Sequence, residues 1–345
     1  MFPKNHWYAV AWDHDIKQAP FPRTICNEDI VFFRKPDRTL VALEDMCPHR
    51  LLPLSAGKVH GDKIVCGYHG FTVDGAGACV HMPQQENLIG KKLVKTYPVV
   101  EKHRFIWVWI GDEDLADEDK VPDLHWCSNP DWIADGETFH IKCDYRLLVD
   151  NLMDLTHETY VHPTSIGQEE ITEAPIETTS DDDSVTVTRW MRDITPPPFW
   201  STNLGSDEQC DRWQICKFTL PANVMIDVGV APTGTGAPEG DRSKGITGIV
   251  IDLMTPETET TTWYHWGMVR NFDIKNAALT RQIRDAQSSV FKEDEVVLEQ
   301  QQLRLNKHMD RRLANFNIDK GSMLSRRLID HALTVDDSEA PALTG

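Results

Sequence analysis

Two short cysteine–histidine motifs in the first quarter of the chain most constrain its fold. Cys47-Pro48-His49 and Cys66-Gly67-Tyr68-His69 each offer one thiol and one imidazole, and sixteen residues separate them. Each motif follows a run of β-branched or aromatic residues, so both are predicted to be loops at the tip of a small β domain. Metal-binding side chains that must meet in space fix how the flanking strands fold.

The order of the ligands indicates which metal the two loops bind. A zinc finger usually presents a cysteine pair and then a histidine pair, whereas here each half carries one of each. This arrangement is typical of a Rieske-type 2Fe–2S cluster, in which two thiolates bind one iron and two imidazoles bind the other. A tetrahedral zinc site and a fortuitous set of core residues are the alternatives. The remaining cysteines are interpreted as buried structural thiols: Cys26, Cys79, Cys127, Cys143, Cys210 and Cys216.

A second group of polar residues lies near the middle of the chain, just before Pro163. Leucines at roughly helical spacing predict a mostly buried helix there. His157 and His162 are five residues apart, off a common helical face, and Pro163 disfavours helical geometry at His162. His162 is therefore predicted at the frayed helix end, turned back toward His157, and Asp154 is predicted to reach the second ring nitrogen of His157. Such imidazoles suit a non-haem iron(II) site; a satisfied pair of core histidines is the alternative.

A carboxylate is needed to complete a site with two histidines and one acidic ligand. The sequence predicts a long helix over residues 279–308, which carries Glu293, Asp294 and Glu295 in succession. Asp294 lies on the apolar stripe of this helix, whereas Glu293 and Glu295 flank it and are expected to face water. A carboxylate on an apolar face needs a buried partner, so Asp294 is the predicted third ligand; an acidic patch with one misplaced residue is the alternative. The stripe is formed by Ile283, Val290, Val297 and Gln301.

The bulk composition narrows the range of partners and locations. The chain has 345 residues, enough for about two domains. Its net charge of −19 argues against nucleic acid and anionic membrane as partners, and no apolar run approaches a membrane span. The first residues lack the apolar region of a secretion signal. Sparse, unevenly spaced cysteines suit a reducing cytoplasm.

These patterns predict an α+β protein. An N-terminal all-β domain over residues 1–112 carries the 2Fe–2S cluster, and an acidic, proline-containing connecting segment follows over residues 113–135. Residues 136–331 are predicted to form an α+β catalytic domain, with an antiparallel sheet flanked by helices and a mononuclear iron. The polar tail, residues 332–345, is predicted to be disordered.

Together these motifs resemble the Rieske non-haem iron oxygenases over nearly the whole chain. Residues 143–162, 195–200 and 211–216 are most similar to the vanillate O-demethylase branch of that family, as is the opening segment, residues 2–8. The resemblance implies that the cluster ligands are Cys47, His49, Cys66 and His69, and that the mononuclear iron ligands are His157, His162 and Asp294.

The resemblance also implies an activity. It indicates a terminal oxygenase, a monooxygenase that uses dioxygen and NADH-derived electrons to O-demethylate a methoxy-aromatic acid; vanillate would give protocatechuate and formaldehyde, as in lignin catabolism. The implied electron donor is a reductase that contains flavin and a 2Fe–2S cluster, and the implied assembly is a homotrimer. Asp154 would join His69 of one subunit to His157 of the next, and Asn151 would lie near the iron or orient a ligand. The alternatives are a related Rieske monooxygenase that acts on another aryl ether or aryl methyl group, and an electron carrier with an inert second domain.

Position along the central strands suggests which residues line a substrate pocket. For each of them, ordinary packing is the alternative. A benzoate substrate needs a cation, for which Arg192 and Arg270 are the candidates. Phe199 and Trp200 are expected to cap the opening. The predicted lining residues are Ile226, Val228, Asp252, Trp266 and Met268.

Overall fold

A computed structural model of the chain describes residues 1–163 and 174–339. The chain divides into two compact units: Met1–Val121 with Thr255–Thr258, and Pro122–Met254 with Glu259–Gly345. The predicted connecting segment, residues 113–135, is therefore shared between the two units. Within the part of the chain that the structure describes, no helix is long and apolar enough to cross a membrane.

The first unit carries ten strands and is built from small antiparallel sheets, as predicted. The strands are β1 His6–Trp12, β2 Phe21–Ile25, β3 Glu28–Arg34, β4 Leu40–Glu44, β5 Lys58–His60, β6 Lys63–Val65, β7 Thr72–Asp74, β8 Cys79–His81, β9 Val99–Lys102 and β10 Phe105–Ile110. Their order is β1-β10-β9 in one sheet, β2-β3-β4 in the second and β5-β6-β7-β8 in the third. All six side chains of β10 are buried, which explains its continuous apolar run. The cysteine–histidine loops follow β4 and β6, as the sequence indicated.

The second unit is built on one seven-stranded antiparallel sheet, which confirms the predicted architecture. The strands are β11 Ile133–Ile141, β12 Ile176–Ser180, β13 Ser184–Ile194, β14 Cys210–Thr219, β15 Asn223–Pro232, β16 Ile246–Thr258 and β17 Thr261–Arg270. Their order across the sheet is β11-β17-β16-β15-β14-β13-β12. Side chains two residues apart on a strand point to the same face, so one face of this sheet supports the helices and the site.

Five α-helices of this unit are described. They are α1 Tyr145–Leu152, α2 Glu158–Val161, α3 Pro198–Leu204, α4 Ala277–Lys307 and α5 Lys320–Glu339. The long helix α4 agrees with the prediction within two residues at each end. It is fixed to the sheet by Phe291, whose ring lies 5.2 Å from the rings of both Tyr264 and Trp266. This contact determines which face of α4 packs against the sheet.

The central polar segment differs from the single helix predicted for it. Helix α1 ends at Leu152 and α2 begins at Glu158. Between them, Oδ1 of Asp154 accepts a hydrogen bond from the amide of Thr156 at 2.7 Å. Such a side-chain bond to the local backbone competes with the helical ladder, so the helix stops. The predicted position of His162 at a helix end is correct, because it follows the last residue of α2.

The C-terminal segment also differs from the prediction. Helix α5 continues to Glu339, so residues 332–339 are helical and not a disordered tail. Residues 340–345 of that predicted tail lie outside the described residues. Helix propagation adds one hydrogen bond for each residue fixed, and the packed part of α5, with Ile329 fully buried, provides the nucleus. A polar composition alone therefore did not identify where the helix ends.

Candidate metal centres and substrate cavity

The two cysteine–histidine loops of the first unit contain the same kind of backbone turn. The carbonyl of Cys47 accepts a hydrogen bond from the amide of Leu51 at 2.9 Å, and the carbonyl of Cys66 accepts one from Gly70 at 3.2 Å. Leu51 and Gly70 close their loops in the left-handed region, with φ of 59° and 74°. Glycine adopts this conformation freely, which made the turn at Gly70 predictable and the one at Leu51 not.

The four side chains of these loops form a thiol pair and an imidazole pair. Cys47 and Cys66 are buried and close enough for a hydrogen bond between their thiols. His49 and His69 are exposed, and their ring centroids are 4.5 Å apart. Burial raises the pKa of the Cys47 thiol, and the neighbouring Cys66 thiol raises it further. A thiolate at this position therefore needs a bound cation.

This pairing fits a cluster with two irons better than a single zinc ion. A tetrahedral zinc site brings all four donor atoms around one centre. Within the described ranges, only His157, His162 and Asp294 bring three metal-ligating atoms within 4.8 Å of one another. The loop residues instead separate into sulfur and nitrogen pairs, as a 2Fe–2S cluster with mixed ligands requires.

His157, His162 and Asp294 form the second centre, in the second unit. Nε2 of His162 lies 3.2 Å from Oδ1 of Asp294, and Nε2 of His157 lies 3.6 Å from the same oxygen. His162 and Asp294 are buried, and His157 is half-buried. Two imidazoles and one carboxylate on one side of an ion leave its other positions open, which is the ligand set of non-haem iron(II) oxygenases. The donor set fits such an iron.

Hydrogen bonds at the other ring nitrogens aim both imidazoles at this centre. Nδ1 of His157 lies 2.5 Å from the backbone carbonyl of Asp154, so the predicted contact with Asp154 exists but uses its carbonyl and not its carboxylate. Nδ1 of His162 lies 2.6 Å from Oε2 of Glu293. The side chain of Glu293 is 38% exposed, so it faces water as predicted and also pairs with His162, which the sequence did not indicate. In each ring Nε2 is left to bind a metal, as outer partners of metal-bound histidines usually ensure.

Asp294 lies on the buried face of α4, as predicted. Farther along the helix, however, this buried face is formed by other residues than those predicted. Nδ2 of Asn151 donates to Oδ1 of Asp294 at 3.0 Å, so Asn151 orients the carboxylate of this candidate ligand. Asp294 is 4% exposed, as the stripe argument predicted. Farther along α4 the buried residues are Leu298 and Gln302, whereas Val297 and Gln301, which were predicted to continue the stripe, are exposed. The buried face drifts around α4 because a straight helix has 3.6 residues per turn, so residues seven apart do not stay on one face.

The charges around His162 favour a cation at this centre. Burial alone would lower the pKa of His162, but hydrogen bonds and charge interactions with Asp294 and Glu293 outweigh it, and the pKa is raised. The ring and its two carboxylates together attract positive charge. A divalent metal at Nε2 supplies that charge in place of a proton.

A cavity of about 680 Å³ opens onto the three ligands. This volume is in the range of small-molecule sites. Its lining is mostly apolar, and Arg212 is the one arginine or lysine among the described residues that form it. The other lining residues, apart from the three ligands, are Leu152, Leu155, Glu158, Thr195, Pro196, Pro197, Pro198, Phe199, Trp200, Gln214, Ile226, Val228, Val250, Met268, Ile283, Ala286, Gln287, Val290 and Phe291.

Two protein families match the chain, one in each unit. Residues 6–98 match the Rieske [2Fe-2S] domain, and residues 141–334 match the vanillate O-demethylase oxygenase C-terminal domain. The chain is also 46% identical to the vanillate O-demethylase oxygenase subunit of Pseudomonas sp. (strain HR199 / DSM 7063), over 99% of this chain and 98% of that protein. The chain belongs to the Rieske oxygenase family. It is a member of the branch that contains the vanillate O-demethylase oxygenase subunits.

Other relatives of this Rieske oxygenase have different named substrates. The chain is 37% identical to the iron-sulfur subunit of the toluene-4-sulfonate monooxygenase system of Comamonas testosteroni, over 98% of this chain and 99% of that protein. The crystal structure of dicamba monooxygenase with non-haem iron and dicamba superposes with a TM-score of 0.86 at 30% identity, covering 98% of this chain and 99% of that one. The family thus confirms the two predicted cofactors, a 2Fe–2S cluster and a mononuclear iron, for which His157, His162 and Asp294 are the candidate ligands.

The cavity of the Rieske oxygenase includes only part of the predicted pocket. Ile226, Val228 and Met268 line it. Asp252 and Trp266 do not: both are completely buried. Trp266 packs against Phe291 of α4, and Asp252 accepts a hydrogen bond from the hydroxyl of Tyr264 at 2.6 Å. Strand alternation places Asp252 on the correct face of the sheet, but it cannot tell which part of that face α4 covers. Phe199 and Trp200 line the cavity as expected, together with residues 195–198.

The predicted cations for a substrate carboxylate are elsewhere. Arg192 lies on the surface, 3.6 Å from Glu239. Arg270 is buried and donates to the backbone carbonyls of Phe272 and Asp273. Arg212 of β14 lines the cavity instead. The missed signal was the alternation of polar residues in β14, where Arg212 is two residues from Gln214.

Asp252 gives a testable pH dependence. Burial raises its pKa to about 7, and Asp294 adds to the effect while the bond from Tyr264 opposes it. An unfolded aspartate has a pKa of about 3.9. Between these values the native state holds a proton that the unfolded state has released, so the free energy of unfolding should fall as pH rises.

The variant Asp252→Asn, which does not titrate, should remove this contribution. Urea unfolding of both proteins at pH 5 and pH 7 should show the variant gaining stability relative to the wild type as pH rises, by at most about 1.4 kcal/mol per pH unit. An identical pH dependence in the two proteins would mean that Asp252 does not hold the proton.

Glu293 gives a second prediction, on metal affinity. Glu293→Gln keeps the size of the side chain and removes the charge that faces Nδ1 of His162. Loss of such an outer partner typically weakens metal binding about 10- to 100-fold, which a chelator competition for the mononuclear iron would measure. Glu295→Gln, on the same helix, is the matched control and should leave the affinity unchanged. Equal affinities in the two variants would remove Glu293 from the iron site.

Proposed function

We propose that this Rieske oxygenase O-demethylates a methoxy-aromatic acid, with vanillate as the substrate, as the terminal component of a system that also contains a reductase. The observation that carries this proposal is that the iron ligands adjoin a mostly apolar cavity, in which Arg212 is the one arginine or lysine among the described lining residues. An aromatic ring suits the apolar walls, and a carboxylate suits a guanidinium. The named activity of the Pseudomonas relative at 46% identity supports the same substrate.

The reaction balances with dioxygen and NADH. One oxygen atom enters a C–H bond of the methoxy group, the other leaves as water, and NADH with one proton supplies the two electrons. The resulting hemiacetal breaks its carbon–oxygen bond to give the phenol and formaldehyde. When bound, the iron supplies the activation of dioxygen, and the cluster supplies electrons one at a time.

The residues of the chain position the reactants for this chemistry. His157, His162 and Asp294 would hold the iron, with Asn151 and Glu293 fixing two of those ligands. The apolar walls exclude water from the methoxy group, which favours its oxidation over side reactions. Arg212 would bind the carboxylate at a distance from the iron, so that the other end of the ring faces the metal.

Electron delivery is proposed to cross between copies of the chain. Cys47, His49, Cys66 and His69 would hold the cluster, and the exposure of the imidazole pair fits donation to another molecule. In a homotrimer, Asp154 would join His69 of one copy to His157 of the next, a role taken from the family resemblance. The electron donor would be a reductase that contains flavin and a 2Fe–2S cluster.

A cytoplasmic role in the breakdown of lignin-derived aromatics is proposed on the same basis. None of the eight cysteines, all of which lie within the described ranges, forms a disulfide, which fits a reducing compartment.

Turnover assays test the proposed function. The purified oxygenase with its reductase, NADH and vanillate should produce formaldehyde and protocatechuate in equal amounts. Guaiacol, which is the same ring without the carboxylate, should react at least about 10-fold less efficiently, because Arg212 would lose a charge-assisted hydrogen bond. Arg212→Met should reduce this difference by raising KM for vanillate.

A second substrate class has its own support. The toluene-4-sulfonate relative, at 37% identity, favours oxidation of an aryl methyl group in an arene sulfonate. Turnover of 4-toluenesulfonate without formaldehyde from vanillate would establish that class and exclude the proposed one. Reduction of the cluster without turnover of any aromatic would favour the electron carrier.

The bridging role of Asp154 predicts separate effects on metal content and turnover. Asp154→Asn should retain both metal centres, because the contact of Asp154 with His157 uses the backbone carbonyl. Turnover should nearly vanish, since the charged link between copies is lost, while reduction of the cluster by the reductase stays normal. Asp150→Asn is the matched control: Asp150 lies in the same segment but pairs with Arg326 at 2.6 Å and 2.9 Å. Full activity of Asp154→Asn would exclude the bridge.

A further inference from the structure

His157 differs from the other two candidate iron ligands in what holds it. The side chains of Asn151 and Glu293 contact those two ligands. Nδ1 of His157 lies instead 2.5 Å from the backbone carbonyl of Asp154, in the turn between α1 and α2. The direction of the His157 ring therefore depends on the shape of this turn, and the residue that holds the turn acts on the iron site.

Arg189 of β13 holds this turn from the sheet. It is 1% exposed, and its Nη1 donates to the backbone carbonyl of Leu155 at 2.7 Å, in a buried hydrogen bond between residues 34 positions apart. The Leu155 carbonyl and the Thr156 amide belong to one planar peptide group, and that amide donates to Oδ1 of Asp154 at 2.7 Å. This peptide group is thus held on both sides and cannot rotate without losing a hydrogen bond.

The held peptide group lies between the two partners of the His157 hydrogen bond. On one side, only the Cα of Leu155 separates it from the peptide group that contains the Asp154 carbonyl. On the other side, Thr156 separates it from the peptide group that leads into His157. Rotation of the held group would shift the carbonyl and the imidazole relative to each other, because neighbouring peptide groups share only two soft dihedral angles. Nε2 of His157, now 3.6 Å from Oδ1 of Asp294, would lose its direction.

The burial of Arg189 is costly for folding. Burial lowers the pKa of Arg189, although charge interactions with Glu158 and Asp154 act in the opposite direction, and an arginine stays protonated in proteins even so. Among the residues that the structure describes, Nε of Arg189 has no hydrogen-bond partner. Apolar replacement of a buried charged group is often neutral for stability. These observations favour a role in holding the turn over a role in stability alone.

We propose that Arg189 is a positioning residue of the mononuclear iron site: by holding the Leu155 carbonyl, it keeps the Asp154 carbonyl at Nδ1 of His157 and so directs Nε2 toward the metal. Its effect on the iron runs through the backbone of the turn. This inference rests on the iron site of the proposed function and is independent of which aromatic compound is oxidised.

Two variants of Arg189 test this proposal without any substrate. Arg189→Met keeps an apolar stem without donors, and Arg189→Lys keeps the charge and one donor on a stem that is one bond shorter. Chelator competition measures the affinity for the mononuclear iron, and EPR of the ferrous protein with added nitric oxide, its cluster kept oxidised, reports the ligand geometry. Arg189→Met should bind the iron about 10-fold more weakly, as loss of an outer partner typically does, and its EPR spectrum should change. Arg189→Lys should recover part of both effects.

Arg270 provides the matched controls, Arg270→Met and Arg270→Lys. It is 2% exposed, burial lowers its pKa too, and it donates to the backbone carbonyls of Phe272 and Asp273. It also donates to Thr280, which lies about 21 Å along α4 from Asp294 because a helix rises about 1.5 Å per residue. Both control variants should keep the iron affinity and the EPR spectrum of the wild type, even where urea unfolding shows a loss of stability.

The outcomes separate this inference from the proposed function. Wild-type iron affinity and EPR spectrum in folded Arg189→Met would overturn the role of Arg189 and leave the iron site standing. Equal losses in the Arg189 and Arg270 variants would also overturn it, because the effect would then be that of any buried arginine. If Arg189→Met does not fold, the lysine variants decide: Arg189→Lys should bind iron a few fold more weakly with a changed spectrum, and Arg270→Lys should show neither effect. Absence of mononuclear iron from the wild type would overturn this inference and the proposed function together.

Discussion

Burial of the Asp294 carboxylate between α4 and the sheet is the constraint on which the second unit depends. A carboxylate in an apolar interface is destabilising unless it is paired and hydrogen-bonded. Here Asn151 donates to one oxygen, and two imidazole nitrogens approach the same oxygen. The interruption between α1 and α2 is part of this solution, because it lets His157 and His162 meet although they are five residues apart.

The two metal centres differ in how the chain exposes them, and this difference follows their proposed tasks. The thiols of the cluster loops are buried while the imidazoles are exposed, which suits electron exchange with another molecule. At the mononuclear centre His162 and Asp294 are buried and a mostly apolar cavity adjoins them, which suits chemistry that must exclude water. Histidine side chains occur at both centres, and the difference in their exposure suits one centre to electron exchange and the other to chemistry without water.

The sequence alone indicated the candidate ligands because the signals for them are local. The Cys47-x-His49 and Cys66-x-x-His69 spacings, the effect of Pro163 and the apolar side of α4 can all be read within one segment. The long helix followed from periodicity in the same way. These are features in which neighbours in sequence are also neighbours in space.

The partners of those ligands and the cavity could not be predicted in this way. The hydrogen bond between Glu293 and His162 joins residues 131 positions apart. That Arg212 lines the cavity, while Arg192 and Arg270 do not, depends on the position of β14 in the sheet. Strand alternation placed Ile226, Val228 and Asp252 on one face, but only the packing of α4 separates the cavity from the core. Such facts depend on register and on tertiary packing, which no local pattern contains.

The most direct test of the account is the iron content of Asp294→Ala beside that of the wild type, together with the absorption and EPR spectra of the cluster. The wild type should hold the two irons of the cluster and one more, and the variant should lose that one while its cluster spectra stay unchanged. Retention of all the iron by a folded variant would contradict the account, because Asp294 would then not be a ligand. Loss of the cluster signal instead would also contradict it, because the two centres would not be separate.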